Sequence, residues 1–154
     1  MQPFIELKHL TKRFGNLVAN EDISLEIFPG EVMALLGESG AGKTTLSKML
    51  YGLYQAEEGD IHIQGQRVHL RSPSDSIKQG IGFVSQHFAL VPSLSVAENI
   101  VLGYEGSSIL NTRDLNQRIG KLAQRFSMQV KPELKVSSLS VGEQQRIEIL
   151  KALY

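Results

Sequence analysis

The chain contains no cysteine. That excludes a disulfide framework and thiolate metal sites, and it fits a reducing compartment. Net charge is also missing, since 16 Lys and Arg balance 16 Asp and Glu. No global field therefore draws the chain to nucleic acid or to an anionic membrane. No apolar run approaches the roughly 20 residues that span a bilayer. The N-terminus, MQPFIELKHL, mixes acidic and basic residues where a signal peptide would carry an apolar core. Internal repeats and low-complexity segments are absent as well. The expectation is a cytosolic protein that reaches a membrane only through a partner. What is present is ordinary for a globular domain: 154 residues, 42% hydrophobic and 21% charged, enough for one domain with its own core.

Periodicity divides the chain. Ile5 and Leu7 alternate with Glu6 and Lys8, and Ile23, Leu25 and Ile27 with Asp22, Ser24 and Glu26, as in half-buried strands. Pro29-Gly30 marks a turn. Val32-Met33-Ala34-Leu35-Leu36 is apolar throughout, which predicts a strand buried on both faces. From Lys43 the spacing becomes helical through Leu46, Met49, Leu50, Leu53 and Tyr54, and Gly59 ends the section. Ile61 and Ile63 predict another strand, turned by Gly65, and residues 81–85 a further buried one. Ser95 and Glu98 form a capping-box pattern that should open a short helix. Leu115, Ile119, Leu122 and Phe126 make an amphipathic stripe after Asn111-Thr112. The helical signals lie mainly between about Ser95 and Met128, so a helical subdomain follows a strand-rich first half.

Between the apolar run and the first helical spacing lies GESGAGKTT, residues 37–45. Gly37-x-x-x-x-Gly42-Lys43-Thr44 fits the P-loop pattern in its proper context, strand before and helix after. Glycines allow a loop tight enough to aim several backbone N–H groups inward. The helix that follows begins with unpaired N–H groups and a positive dipole end. Lys43 adds a point charge for the β- and γ-phosphates, and the Thr44 hydroxyl suits Mg²⁺. The candidate nucleotide contacts are Ser39, Gly40, Gly42, Lys43, Thr44 and Thr45. A P-loop alone does not choose among kinases, GTPases, motor ATPases and transport ATPases.

The choice comes from Leu139-Ser140-Val141-Gly142-Glu143-Gln144-Gln145-Arg146. On its own the stretch is a capping box, Ser140 with Glu143, opening a helix that Ile147, Leu150 and Tyr154 continue. With a P-loop about 100 residues upstream and Gln86 between them, it resembles the signature motif of ATP-binding-cassette (ABC) ATPases. The resemblance covers essentially the whole chain. It implies an α/β P-loop NTPase fold of ABC type, with an N-terminal antiparallel β subdomain and a helical insertion. It also implies ATP and Mg²⁺ as cofactors. Phe14 matches the aromatic that stacks on adenine, and Gln86 the glutamine that touches Mg²⁺ and senses the transmembrane subunit. Ser140 and Gly142 match signature residues that contact ATP held by the opposite subunit. Val141 and Glu143 depart from the more usual glycine and glutamine. Residues 86–92 and 94–100 are similar to ATPases of simple-sugar and nucleoside importers, as is the stretch from Leu139 onward.

The implied partners are transmembrane permease subunits, through the Q-loop and the helical region, and a second ATP-binding subunit. A substrate-binding protein would act indirectly, and no nucleic acid is expected. The implied location is the cytoplasmic face of the membrane. In the family an Asp-bearing strand, a water-polarising Glu and a γ-phosphate-contacting His follow the signature helix, and none has a counterpart before Tyr154. His9, His62, His69 and His87 stand in the wrong order for that role. The expected divisions are about 1–94 for the β-rich and P-loop core, 95–140 for the helical subdomain and 141–154 for the signature helix. The family strands missing here would lie between residues 32–36 and residues 81–85, so these runs would face a gap, rearrange locally or be covered by another chain. A chain without the water-positioning carboxylate should hydrolyse ATP slowly or not at all. The readings are then an importer's ATP-binding subunit, represented by its N-terminal part, or a nucleotide-binding piece without turnover. A soluble ABC ATPase of translation or repair fits the importer-like segment poorly, and a small P-loop kinase has no use for the signature.

Overall fold

Strands β1 (Ile5–Phe14) and β2 (Leu17–Ile27) pair antiparallel, with Phe14 opposite Leu17 across a two-residue turn. On the other side of β1 lies β3 (Glu58–Ile63), which turns at Gln64-Gly65 into the short β4 (Gln66–Val68). The sheet order is β2-β1-β3-β4, antiparallel throughout. Leu7 and Leu10 are both buried because the register of β1 shifts between them, a bulge that sets two residues spaced by three on the same face. They pack with Leu46 and Met49. A computed structural model describes residues 2–86, 88–103 and 111–154. They form two units, Met1–Gly82 and Phe83–Tyr154.

The first unit also carries α1 (Lys43–Leu50) and α2 (Pro73–Lys78). Helix α1 ends earlier than the spacing of Leu53 and Tyr54 predicts. Gly52 takes φ 75°, its N–H bonds Met49 O at 3.0 Å, and the Leu53 N–H reaches back to Lys48 O at 2.9 Å. This is a Schellman stop, which glycine makes readily. Helix α2 has a local cause, with Ser72 capping the Asp75 N–H at 3.3 Å and Pro73 at the first helical position.

Two expected strands do not form. Residues 32–36 and 81–85 belong to no strand of the sheet formed by the described residues. Val32 is 97% exposed and Leu36 90%. An apolar run becomes a buried strand only when neighbours supply hydrogen bonds on its edges and cover on its faces. Neither run joins the four-stranded sheet, and Val32 and Leu36 are left uncovered.

The second unit is helical. It comprises α3 (Val96–Val101), α4 (Thr112–Arg125), a single 3-10 turn at Val136–Ser138 and α5 (Val141–Ala152). The capping box predicted at Ser95 and Glu98 is present, with the Ser95 N–H to Glu98 Oε2 at 2.7 Å. Asn111 caps α4 by accepting from the Arg113 and Asp114 N–H groups. Leu115 and Ile119 of the predicted stripe are buried, whereas Phe126 lies just past the helix end and is half-exposed. The core joins Val96, Ile100, Ile119, Val136, Ile147 and Leu150.

Candidate functional site

Residues 37–42 form a turn without regular structure, and α1 begins immediately afterwards at Lys43. The helix is capped by Gly42, with no side-chain bond to its first N–H groups and no acid in its first turn. Those donors and the positive helix end therefore face outward uncompensated, which is what an anion requires. Lys43 Nζ donates to the Gly37 carbonyl at 2.8 Å and the Glu38 carbonyl at 2.6 Å. Two of the ammonium's three donors thus hold the charge over the loop. Ser39, Gly40 and Thr44 are exposed, and Thr45 is half-buried behind them.

Gly42 is seated against β2. It has φ 79°, and a Cβ there would lie 2.3 Å from the Ala19 carbonyl oxygen and 2.6 Å from Asn20 Nδ2. Only glycine fits both the torsion and the gap. Asn20 is buried and its amide donates to the Gly42 carbonyl at 3.4 Å. This residue went unnoticed in the sequence because an Asn just before an alternating run carries no local signal.

Phe14 is 42% exposed at the end of β1. Its ring meets Tyr54 edge to face, centroids 5.1 Å apart, and Lys12 Nζ lies 5.1 Å from its centre. The strand end is pinned by Lys12 to Glu57 at 2.5 Å and Arg13 to Glu58 at 2.6 Å. The Lys12 ammonium and the Arg13 N–H hold the Glu57 carboxyl below its ordinary range. An aromatic fixed at one edge and open on part of its surface is suited to stacking. Tyr54, its support, was read in the sequence only as part of a helix face.

In the second unit Gln86 is exposed, at a bend. His87 of the same stretch lies outside the described residues. The segment that follows is anchored. The Ala89 N–H donates to Glu148 Oε1 at 2.6 Å and the Val91 N–H to Asn99 Oδ1 at 2.7 Å. Asn99, wholly buried, also donates to the Val91 and Ser95 carbonyls, each at 3.0 Å. Asn99 was quoted within the importer-like stretch without a role, and Glu148 drew no notice. The available signal was an acid beside Ile147 on the apolar side of α5.

Ser140 caps α5. The Glu143 carboxylate accepts from the Ser140 N–H at 2.8 Å and its hydroxyl at 2.6 Å. The acid that departs from the family pattern is therefore turned back onto its own helix end. Gly142 sits on the first turn, where a Cβ would meet nothing within 4 Å. Its own chain gives no steric reason for glycine, so the bare backbone is a surface open to close approach.

Both capping boxes carry a pH signature. Ser140 holds the Glu143 carboxyl below the usual range through its hydroxyl and N–H, and the Ser95 N–H then its hydroxyl do the same for Glu98. Lowered folded values mean that the caps stabilise at neutral pH and lose that effect as pH falls through those values. Acidification should fray the first turns of α3 and α5 before the core opens, read by amide exchange at Glu98 and Glu143. Glu143→Gln should remove the pH dependence at α5 alone. Retention of it there would show that another group is responsible.

A family model described as ABC transporter matches residues 20–154. The chain is similar to the guanosine import ATP-binding protein NupO of Bacillus subtilis (strain 168), 46% identical over 156 residues, covering 100% of this chain and 31% of that protein. It is similar to the ribose import ATP-binding protein RbsA of Caldanaerobacter subterraneus subsp. tengcongensis, 42% identical over 156 residues, covering 99% and 32%. It thus spans roughly a third of the length of these curated relatives. Its fold is similar to that of an ATP-binding cassette of an ABC transporter solved in its ADP conformation, with TM-score 0.84 and 21% identity, covering 99% of this chain and 65% of that one. A bacterial ABC transporter cassette solved as a dimer gives TM-score 0.75 at 28% identity, covering 97% and 68%. With the family matched from β2 through the last helix, over the phosphate loop and the capped signature turn alike, the chain belongs to the ABC transporter family.

Proposed function

We propose that this chain is the N-terminal part of the ATP-binding subunit of an importer for simple sugars or nucleosides, and that it binds ATP with Mg²⁺. The observation that carries the reading is the loop at residues 37–42, with Lys43 held over it and a glycine-capped helix behind it. The residues fit the ligand: uncompensated N–H groups and an ammonium for phosphate oxygens, and the Thr44 hydroxyl for the metal. Ser39, Gly40, Gly42 and Thr45 complete the phosphate contacts in this reading, and Phe14 stacks on the base. Gln86 joins Thr44 as a metal contact. Ser140 and Gly142 reach the nucleotide of a second ATP-binding subunit, which the open surface at Gly142 supports. Mg²⁺ would neutralise phosphate charge.

The relatives named for guanosine and ribose import support the solute class. In the same reading the partners are permease subunits contacted through the Q-loop and helical region, with a substrate-binding protein acting indirectly. The place of action is the inner face of the membrane. None of the helices among the described residues is long and apolar enough to cross it. Hydrolysis belongs to the proposal for the whole protein. Calorimetric titration of the 154-residue chain with ATP and Mg²⁺ tests the binding step. Saturable one-site binding is expected, and a folded chain that binds no ATP would sink the reading.

A further inference from the structure

We propose that Glu148 is a positioning residue, fixing the stretch after Gln86 to the helix whose first turn carries Ser140 and Gly142. Glu148 is 4% exposed. Among the described residues it takes part in no ion pair. A buried carboxylate without a cation carries a large desolvation cost. Leucine would fill that face of α5 without the cost, and glutamine would accept a hydrogen bond at less of it. What the acid adds is a charge-assisted bond, shorter and about twice as strong as a neutral one. That bond is made to one backbone group, the Ala89 N–H, at 2.6 Å.

The surroundings make the bond a mechanical link. Ile147 and Leu150, on either side of Glu148, are locked in the helical core. Two residues beyond Ala89, Asn99 of α3 grips Val91 through both its N–H and its carbonyl. Residues 89–91 are thus tied to α5 at one point and to α3 at another, while Gln86, three residues earlier, is exposed. Ser140 lies eight residues before Glu148, about 12 Å along a helix at 1.5 Å per residue. A displacement of the Gln86 segment therefore pulls on α5, and α5 carries it to the Ser140 end as a rigid rod. The coupling half of this inference rests on the roles proposed above for Gln86 and Ser140, and the clamp half does not.

Amide exchange followed by NMR on the 154-residue chain without nucleotide tests the clamp. The Ala89 N–H should be protected. Its exchange should rise roughly tenfold or more in Glu148→Ala, the loss of a charge-assisted bond, and to an intermediate level in Glu148→Gln, which keeps an acceptor. Ile100 and Ile119 should not change. If the alanine variant loses the whole helical core, the near-isosteric glutamine variant decides alone. An unprotected Ala89 in the parent, or equal exchange in parent and glutamine variant, overturns the clamp. Coupling is read by adding Mg²⁺ to the ATP-saturated chain. The Gly142 and Glu143 amides should shift in the parent and not in Glu148→Ala, with ATP affinity unchanged. A parent that binds ATP without that shift overturns the coupling. A parent that binds no ATP defeats the proposed function, and the exchange experiment still decides the clamp.

Discussion

Lys43→Ala should abolish calorimetrically detectable ATP binding and leave the fold in place. The ammonium lies across the phosphate loop, 2.8 and 2.6 Å from the Gly37 and Glu38 carbonyls. Hydrogen bonds to charged groups are worth about 1.5–3 kcal/mol each. Losing two such bonds to phosphate oxygens weakens binding by roughly a hundredfold or more. The side chain contributes nothing to the core around Leu7, Leu10, Leu46 and Met49. Thermal unfolding should therefore move by only a few degrees, as for substitutions away from the core. Unchanged ATP affinity in this variant would refute the phosphate-loop assignment, and a lost fold would refute the division between loop and core.

The second large effect is expected at Gly42. Alanine there suffers twice, from a left-handed torsion worth about 1–2 kcal/mol and from a Cβ 2.3 Å from the Ala19 carbonyl oxygen. That neighbour is strand backbone, so relief requires β2 or the loop to shift. A loss of about 2–4 kcal/mol is expected for the first unit, with the loss of ATP affinity accompanying it. Gly40→Ala is the control. Gly40 also has a positive φ, of 86°, but a Cβ there meets nothing within 4 Å. It should show the torsional cost alone, about 1–2 kcal/mol in chemical denaturation. Equal losses at the two positions would mean that the contact with β2 does not matter.

What could be foreseen divides along physical lines. The β1, β2 and β3 strands announce themselves by alternation, since one face of each is covered and the other is not. The starts of α3, α4 and α5 are legible because capping is local: Ser95, Asn111 and Ser140 act on N–H groups two or three residues away. The phosphate loop is legible for the same reason. The end of α1 was misplaced because the stop depends on the conformation of Gly52, which hydrophobic spacing does not report. The runs at 32–36 and 81–85 read as strands from composition, but strand formation is a property of neighbours, and neither run is in the sheet. Glu148 and Asn99 bind backbone groups 59 and 8 residues away, bonds that neither periodicity nor capping patterns report.

The division of the chain after Gly82 bears on its synthesis. Strands β1 to β4 and helices α1 and α2 all belong to the first unit, and the core of Leu7, Leu10, Leu46 and Met49 is made of that unit's own residues. As the polypeptide leaves the ribosome at about 5–20 residues per second, this sheet can close before the helical part is made. Val32 and Leu36 would emerge early and stay uncovered while the remaining residues were still being added. An unpaired apolar segment beside a finished sheet is what chaperones bind and what nascent chains on a polysome share.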